Sequence, residues 1–326
     1  MLCAIFLASY LGDRFPTAAI RVMSIICLIS LVFFLINLTG VRFQSPIKIS
    51  TKGESLIVYT QTWMDPVKRE IFRNSGMFWE PGAFAGYIVA TLLLFVDNIE
   101  ALWRNHLRQF IILSIALLTT FSTTGYITFF LLILLFLLKW GTNNKKRFIS
   151  YVLVAVIALS GVFAYIRLDF LGEKIQHQFR DAEQMTENDI SDSRFGSIVV
   201  DLPYIVSHPV FGNGLAQSTR LRFHLGVFDE EDLDGLGNGF SGCIASMGGL
   251  FMIAFLLAIG FNRSLKAQWL VIIMVIALLQ GEYFLNYPFF MMFPFIHFNM
   301  DLKQRIIRGR RIKFSWNKRA PVALPS

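Results

Sequence analysis

Long blocks of apolar residues are the feature that most restricts what this chain can fold into. Hydrophobic residues make up 55% of its 326 residues and charged residues only 16%, and the mean hydropathy is +0.55. A soluble domain of this length carries more charge and shorter apolar runs. Because a membrane span needs roughly 20 apolar residues in succession, the composition predicts an integral membrane protein.

The apolar blocks predict an all-α polytopic membrane protein of about nine (8–10) transmembrane helices. Two long runs, 110–138 and 267–297, are open to two interpretations, since each is either one tilted helix or a hairpin. As hairpins, the first run would be broken at 122–125 and the second at 280–282. With both taken as hairpins, the segments are 1–11, 19–38, 83–96, 110–122, 126–138, 148–166, 240–260, 267–279 and 283–297.

The charge distribution favours both hairpins. With both broken, one side of the membrane receives 18 basic and four acidic residues, and the other receives 12 basic and 18 acidic residues. Cytoplasmic loops are rich in Lys and Arg, so the first side is predicted to be cytoplasmic, including a basic tail at 299–326. The chain is then one integral membrane domain, 1–326, with long extracytoplasmic loops at 41–82 and 167–239. The basic tail predicts contact with anionic lipid, and no nucleic-acid binding is implied.

One amphipathic helix is predicted in the second outer loop, over 194–209. At about 100° per residue, six apolar side chains share one arc, and the opposite arc holds Arg194, Ser197, Asp201, Tyr204 and His208. Pro203 should kink this helix, and Pro209 should end it at 207 or 208. We expect the helix to lie on the membrane surface or against the bundle and to present one polar stripe.

Arg73 and Glu80 are the leading candidates for chemistry, because they lie where the first outer loop enters an apolar helix. Ionisable groups at a membrane boundary are costly to place and are usually functional. A guanidinium suits bidentate recognition of phosphate, and a carboxylate can act as a base or orient a sugar. The alternative is structural: an Arg–Glu pair that fixes the loop, or a glutamate at a helix N-terminus with Pro81 at the first helical position.

The second outer loop offers a further group of cationic or titratable residues, namely Arg194, Arg220, Arg222 and His224. They either bind a lipid diphosphate or offset the acidic run at 229–232. His208 is a second candidate base, although its place before Pro209 suits a structural role equally well. The Asp-x-Asp at 232–234 lies in a solvated acidic stretch, so no metal site is expected, and no zinc, P-loop or Rossmann motif predicts a cofactor. Glu282 is expected to be interfacial, at the outer tip of a hairpin.

Four segments together resemble the O-antigen polymerase (Wzy-type) and O-antigen ligase superfamily of bacterial envelope glycan enzymes. They are Arg-Asn-Ser-Gly-Met-Phe-Trp-Glu-Pro-Gly-Ala-Phe-Ala at 73–85, the hairpin at 117–126, 193–196 with 207–214, and 237–249. The resemblance implies metal-independent glycosyl transfer at the outer face of the bacterial cytoplasmic (inner) membrane. The glycan would pass from undecaprenyl diphosphate to a hydroxyl of another lipid-linked repeat unit, in O-antigen, capsule or exopolysaccharide synthesis.

The resemblance also implies roles for the candidate residues. Arginines would stabilise the leaving diphosphate, and the candidates are Arg73, Arg194, Arg220 and Arg222. Glu80 is the first choice for the base that takes the acceptor proton, and His224 or His208 is the second; Asn238 would hold a sugar hydroxyl. The expected partners are the undecaprenyl-diphosphate-linked oligosaccharide, membrane lipids, a chain-length regulator and a flippase.

Three other functions compete with the polymerase. A ligase, which transfers glycan to a lipid or protein acceptor, typically carries a histidine directly before the asparagine that opens the seventh segment, and this chain has Gly237 before Asn238. A flippase or transporter of lipid-linked sugars needs charged residues along a path through its helices, whereas nearly all charges here fall in predicted loops. A scaffold needs no arginines and glutamate around one outer cleft.

Overall fold

Helices dominate the structure, a computed structural model that describes residues 14–41, 47–48, 55–56, 61–64, 72–96, 98–140, 194–215, 238–260 and 268–294. The described elements are α1 Phe15–Leu38, β1 Ile47–Lys48, β2 Ser55–Leu56, β3 Gln61–Met64, β4 Phe72–Gly76, α2 Pro81–Leu93, α3 Ile99–Asn105, α4 Leu107–Leu118, α5 Thr123–Trp140, α6 Arg194–Ser207, α7 Gly239–Gly260, α8 Gln268–Gly281, a 3₁₀ helix Phe284–Asn286 and α9 Pro288–Met291.

Both long apolar runs are broken as predicted, although the first break lies at 119–122 rather than at 122–125. Helix α4 ends at Leu118 and α5 begins at Thr123, while α8 ends at Gly281 before the 3₁₀ helix. The segment predicted at 283–297 begins with this 3₁₀ helix and the four-residue α9, because Pro288 at a first helical position starts a new helix there. The segments at 1–11 and 148–166 lie outside the described residues, so the count of about nine spans stays a prediction.

Helix α1 carries the clearest membrane character. Among the described residues, α1 and α7 are the two helices long and apolar enough to cross a membrane. One face of α1 is buried around Ile20, Met23 and Cys27, yet Val22 and Leu35 on its other face are exposed. A long exposed apolar face is unfavourable in water and favourable against lipid. The apolar helices therefore indicate a membrane protein.

The helices pack in a continuous series. Helix α1 contacts α4 and β4, α2 contacts α5, α5 contacts α8, α8 contacts α7, and α7 contacts α6. Gly86 of α2 permits one close approach, because a Cβ there would overlap the ring of Phe284. Phe284 in turn stacks on Phe290, with ring centroids 4.1 Å apart. The core of the bundle is thus apolar and aromatic.

Two short antiparallel ladders accompany the helices in the first long loop. Strand β1 pairs with β2, and β3 pairs with β4, so that Thr62 lies opposite Asn74 and Trp63 opposite Arg73. The sequence analysis did not predict these strands, since each has at most five residues and shows no regular alternation of apolar and polar side chains. The β3–β4 ladder matters because it holds Arg73 against the helices.

Helix α6 confirms the predicted amphipathic helix, and the middle of its polar stripe faces the protein. It spans Arg194–Ser207 with Pro203 inside and packs against α7. Ser197, Asp201 and Tyr204 are buried, whereas Leu202 and Val206 are exposed, Val206 by 71%. Of the two predicted placements, the structure has the one against the bundle, with the apolar arc turned outward as it is in a lipid-facing helix.

Helix α7 is interrupted at Gly248, and the segment 209–214 fills the interruption. Gly248 has φ 85° and ψ 162°, which only glycine adopts readily. The helical bonds from 249 to 245 and from 250 to 246 are replaced by four backbone bonds: Asn213 N–H to Ala245 O (2.9 Å), Gly214 N–H to Ser246 O (2.9 Å), Gly249 N–H to Pro209 O (2.8 Å) and Leu250 N–H to Val210 O (3.3 Å). Every backbone group freed by the break at these positions is therefore satisfied within the protein.

Candidate functional site

Four chain segments meet at one end of the bundle: β4 with the turn at 77–80, the α4–α5 turn, the start of α7 and the end of α8. The joining hydrogen bonds are Asn74 N–H to Thr119 O (2.9 Å), Trp79 Nε1–H to Glu282 Oε2 (3.0 Å) and Asn238 Nδ2–H to Gln280 Oε1 (2.7 Å). Three of the segments that carry the resemblance, 73–85, 117–126 and 237–249, are thus in one place. The fourth, 207–214, joins 237–249 through the break in α7.

Arg73 is half-buried on β4 and is held at the α4–α5 turn. Its Nε–H donates a hydrogen bond to the carbonyl oxygen of Thr120 at 3.2 Å. Thr120 lies just beyond the end of α4, where carbonyl groups lack a partner within the helix. The bond therefore fixes the position of the guanidinium while it satisfies one of these carbonyls.

Asn74, next to Arg73, is fully buried and anchors β4 to two helices. Its Nδ2 donates to Ser30 Oγ of α1 at 2.7 Å and to Thr119 Oγ1 at 2.9 Å. Its Oδ1 accepts from Gly76 N–H at 2.9 Å. Such a satisfied buried network rigidifies its surroundings, so the backbone of β4 that carries Arg73 is held in place.

Glu80 occupies the N-cap position of α2, with extended φ −150° and ψ 161°. The predicted place of Pro81 at the first helical position is confirmed, and the Glu80 carbonyl accepts from Phe84 N–H at 3.2 Å. The half-buried side chain makes no capping hydrogen bond. This position fits the structural alternative of a glutamate that interacts favourably with the dipole at the N-terminal end of a helix.

Asn238 and Asp201 form a buried polar layer at the start of α7. Asn238 Oδ1 accepts from the N–H groups of Phe240 and Ser241, both at 3.1 Å, so it caps α7. Ser241 Oγ donates to Asp201 Oδ2 at 2.6 Å. The structure thus gives Asn238 a structural role, and its contact with a sugar hydroxyl stays a prediction.

Glu282 was predicted to be interfacial, at the outer tip of a hairpin, and this stays a prediction; the structure adds that its side chain is buried within the protein, with 8% exposure. Glu282 directly follows the end of α8 at Gly281. Its carboxylate accepts a hydrogen bond from the indole N–H of Trp79. A buried carboxylate in a membrane protein is a functional candidate. The signal was present in the sequence, since Glu282 is the sole acidic residue between 235 and 300.

The remaining candidates are only partly described. His208 is exposed at the end of α6, with its Nδ1 3.1 Å from Ser207 Oγ. Arg194 begins α6, but its side chain lies outside the described residues, as do Arg220, Arg222 and His224. Within the described ranges no three His, Cys, Asp or Glu residues lie close enough to hold a metal ion.

The opposite end of the bundle has different chemistry. His106, between α3 and α4, is buried, and burial together with the nearby Arg21 charge lowers the pKa of its imidazole. Arg104 and Glu100 form an exposed ion pair at 3.6 Å, which contributes little to stability.

The fold and the polar end define a helical membrane protein with a polar site at one end of an apolar bundle. The sequence model of the O-antigen ligase family matches residues 109–233. This match includes two of the four segments that carry the resemblance and confirms the resemblance to the O-antigen polymerase and ligase superfamily over that part of the chain. No curated protein matches the chain.

Proposed function

We propose that this protein is a membrane glycosyltransferase that polymerises undecaprenyl-diphosphate-linked repeat units at the outer face of the bacterial cytoplasmic membrane. The observation that carries the proposal is that the segments holding Arg73, Glu80 and Asn238 meet at one end of the bundle. They are joined there by the hydrogen bonds of Arg73 to Thr120, Trp79 to Glu282 and Asn238 to Gln280. A donor held in the membrane by its lipid would meet charged groups there.

The chemistry follows from these groups. An acceptor hydroxyl oxygen attacks the anomeric carbon of the donor sugar, and the bond from that carbon to the diphosphate oxygen breaks. Arg73 stabilises the charge that develops on the leaving diphosphate, and its bond to Thr120 supports this role because preorganised donors need no rearrangement during reaction. Glu80 takes the proton of the acceptor hydroxyl.

A ligase is the second candidate, because the matching family is described as O-antigen ligase. Gly237, where ligases typically carry histidine, supports the polymerase instead. A carrier for lipid-linked sugars would use buried carboxylates such as Asp201 and Glu282. Both are hydrogen-bonded near the polar end, to Ser241 and Trp79, which supports an enzyme with its site at that end.

The glycan profile of a deletion strain tests the proposal. Without the polymerase, the surface glycan should be capped with a single repeat unit and show no ladder of longer chains, and the intact gene should restore the ladder. Long chains stranded on the lipid carrier would mean a ligase. Unpolymerised repeat units confined to the inner leaflet would mean a flippase, and either pattern would overturn the polymerase.

A further inference from the structure

Two stacked aromatic rings are exposed at the polar end of the bundle. The rings of Trp79 and Tyr287 have centroids 5.0 Å apart and an interplanar angle of 21°. Their side chains are 38% and 36% exposed. Tyr87 contacts both rings edge-on, with centroids 6.5 Å and 6.3 Å away. The pair thus presents partly exposed aromatic surface at this end of the bundle.

The orientation of Trp79 is fixed from inside the protein. Its indole N–H donates to the buried carboxylate of Glu282 at 3.0 Å. A tryptophan that anchors a protein at a membrane interface has its apolar ring in the lipid and its N–H toward headgroups and water. Here the polar edge faces a buried carboxylate instead. A ring held in this way is preorganised to bind a ligand.

The chemistry of this cluster selects one class of ligand. The π face of an aromatic ring is negative and attracts the C–H groups on the face of a pyranose ring. A phosphate is repelled by the negative π faces, and an acyl chain does not require an indole held in one orientation. A saccharide ring matches exposed aromatic faces of fixed orientation.

We propose that Trp79, Tyr287 and Glu282 form a subsite for one pyranose ring of the lipid-linked glycan. This inference rests on the proposed function and adds the position of a sugar to it. Trp79 directly precedes Glu80, so the subsite belongs to the same turn before α2 as the residue assigned to proton transfer. Trp79 and Tyr287 supply the stacking surface, and Glu282 fixes the indole.

Titration calorimetry of the full-length protein in nanodiscs tests the subsite. The probe is the oligosaccharide that mild acid releases from the lipid-linked repeat unit of the source organism. Stacking on an aromatic ring is lost in Trp79→Ala and Tyr287→Leu, so each should bind the probe roughly tenfold or more weakly. Trp103→Ala is the matched control, because Trp103 is 39% exposed on α3, at the opposite end, and its affinity should equal that of the wild type.

A second variant guards against misfolding. Trp79→Phe keeps a ring but removes the N–H donor to Glu282, and we expect a folded protein with an affinity between those of Trp79→Ala and the wild type. Wild-type affinity in both Tyr287→Leu and Trp79→Phe overturns the subsite, as does a wild-type protein that does not bind the probe. Equal losses of membrane yield in the Trp79 and Trp103 alanine variants, without a change in affinity, would indicate interfacial anchoring only. If the subsite fails but the deletion strain still lacks the glycan ladder, the proposed function stands without it.

Discussion

Adding a single methyl group at Gly248, where α7 is interrupted, should greatly reduce the stability of the protein. In Gly248→Ala the new Cβ would lie 2.7 Å from Gly212 N and closer still to the Val210 carbonyl oxygen. The backbone region of Gly248 costs a residue with a side chain about 1–3 kcal/mol. Displacing 209–214 would also endanger four backbone hydrogen bonds, each worth about 0.5–1.5 kcal/mol. The expected loss is about 3–9 kcal/mol, comparable with the whole stability of many proteins, about 5–15 kcal/mol.

Thermal unfolding in detergent, followed by size-exclusion chromatography, measures this loss. We expect Gly248→Ala to unfold at least about 6 °C below the wild type, since 1 kcal/mol shifts the midpoint of a protein of this size by roughly 2 °C. The matched control is Gly260→Ala in the same helix, where the nearest atom to the new Cβ is the flexible Ile272 Cδ1 at 3.3 Å. If the two variants unfold within 2 °C of each other, the account of the break is wrong.

Three further predictions concern the polar end and the topology. Arg73→Lys should lower the transfer rate by roughly 10²–10³, because a point charge cannot replace the guanidinium fork, whereas the exposed Arg104→Lys should be neutral; equal rates would refute the clamp. Glu80→Gln should lower the rate by about 10²–10⁴ yet retain donor binding, as expected for a base, and a matching fall in donor affinity would point to a structural role. A cysteine introduced at Ser55 or Ser218 should be labelled from outside intact cells. Labelling only after permeabilisation would show that these loops are not extracytoplasmic.

Much of the helical fold could be predicted because apolar runs and their breaks are local properties of the sequence. The break before Thr123, the end of α8 at Gly281 and the helix Arg194–Ser207 all follow from polar or helix-breaking residues at known positions. The inward direction of the polar stripe could not be predicted, because it depends on Ser241 of α7 as the partner of Asp201. Periodicity gives the faces of a helix but not which face meets lipid.

The sequence predicted which residues belong to the candidate site, but not which residues they contact. Arg73 and Glu80 follow from the cost of charges at a membrane boundary. Thr120, which accepts from Arg73, is 47 residues away from it in sequence, and Glu282, which accepts from Trp79 next to Glu80, is 203 residues away from Trp79. No local sequence pattern predicts such pairs. The interruption at Gly248 was missed for the same reason, since the groups that complete it come from 209–214.

Reconstitution of the purified protein in liposomes is the most direct test of glycosyl transfer by this chain. The liposomes would contain the undecaprenyl-diphosphate-linked repeat unit of the source organism and no other protein, and the products would be separated by size. The account predicts a ladder of lipid-linked chains that differ by one repeat unit, with one undecaprenyl diphosphate released for each unit added, and a loss of the ladder in Arg73→Lys. Unchanged donor with no released carrier, from wild-type protein that is shown to be folded, would contradict it.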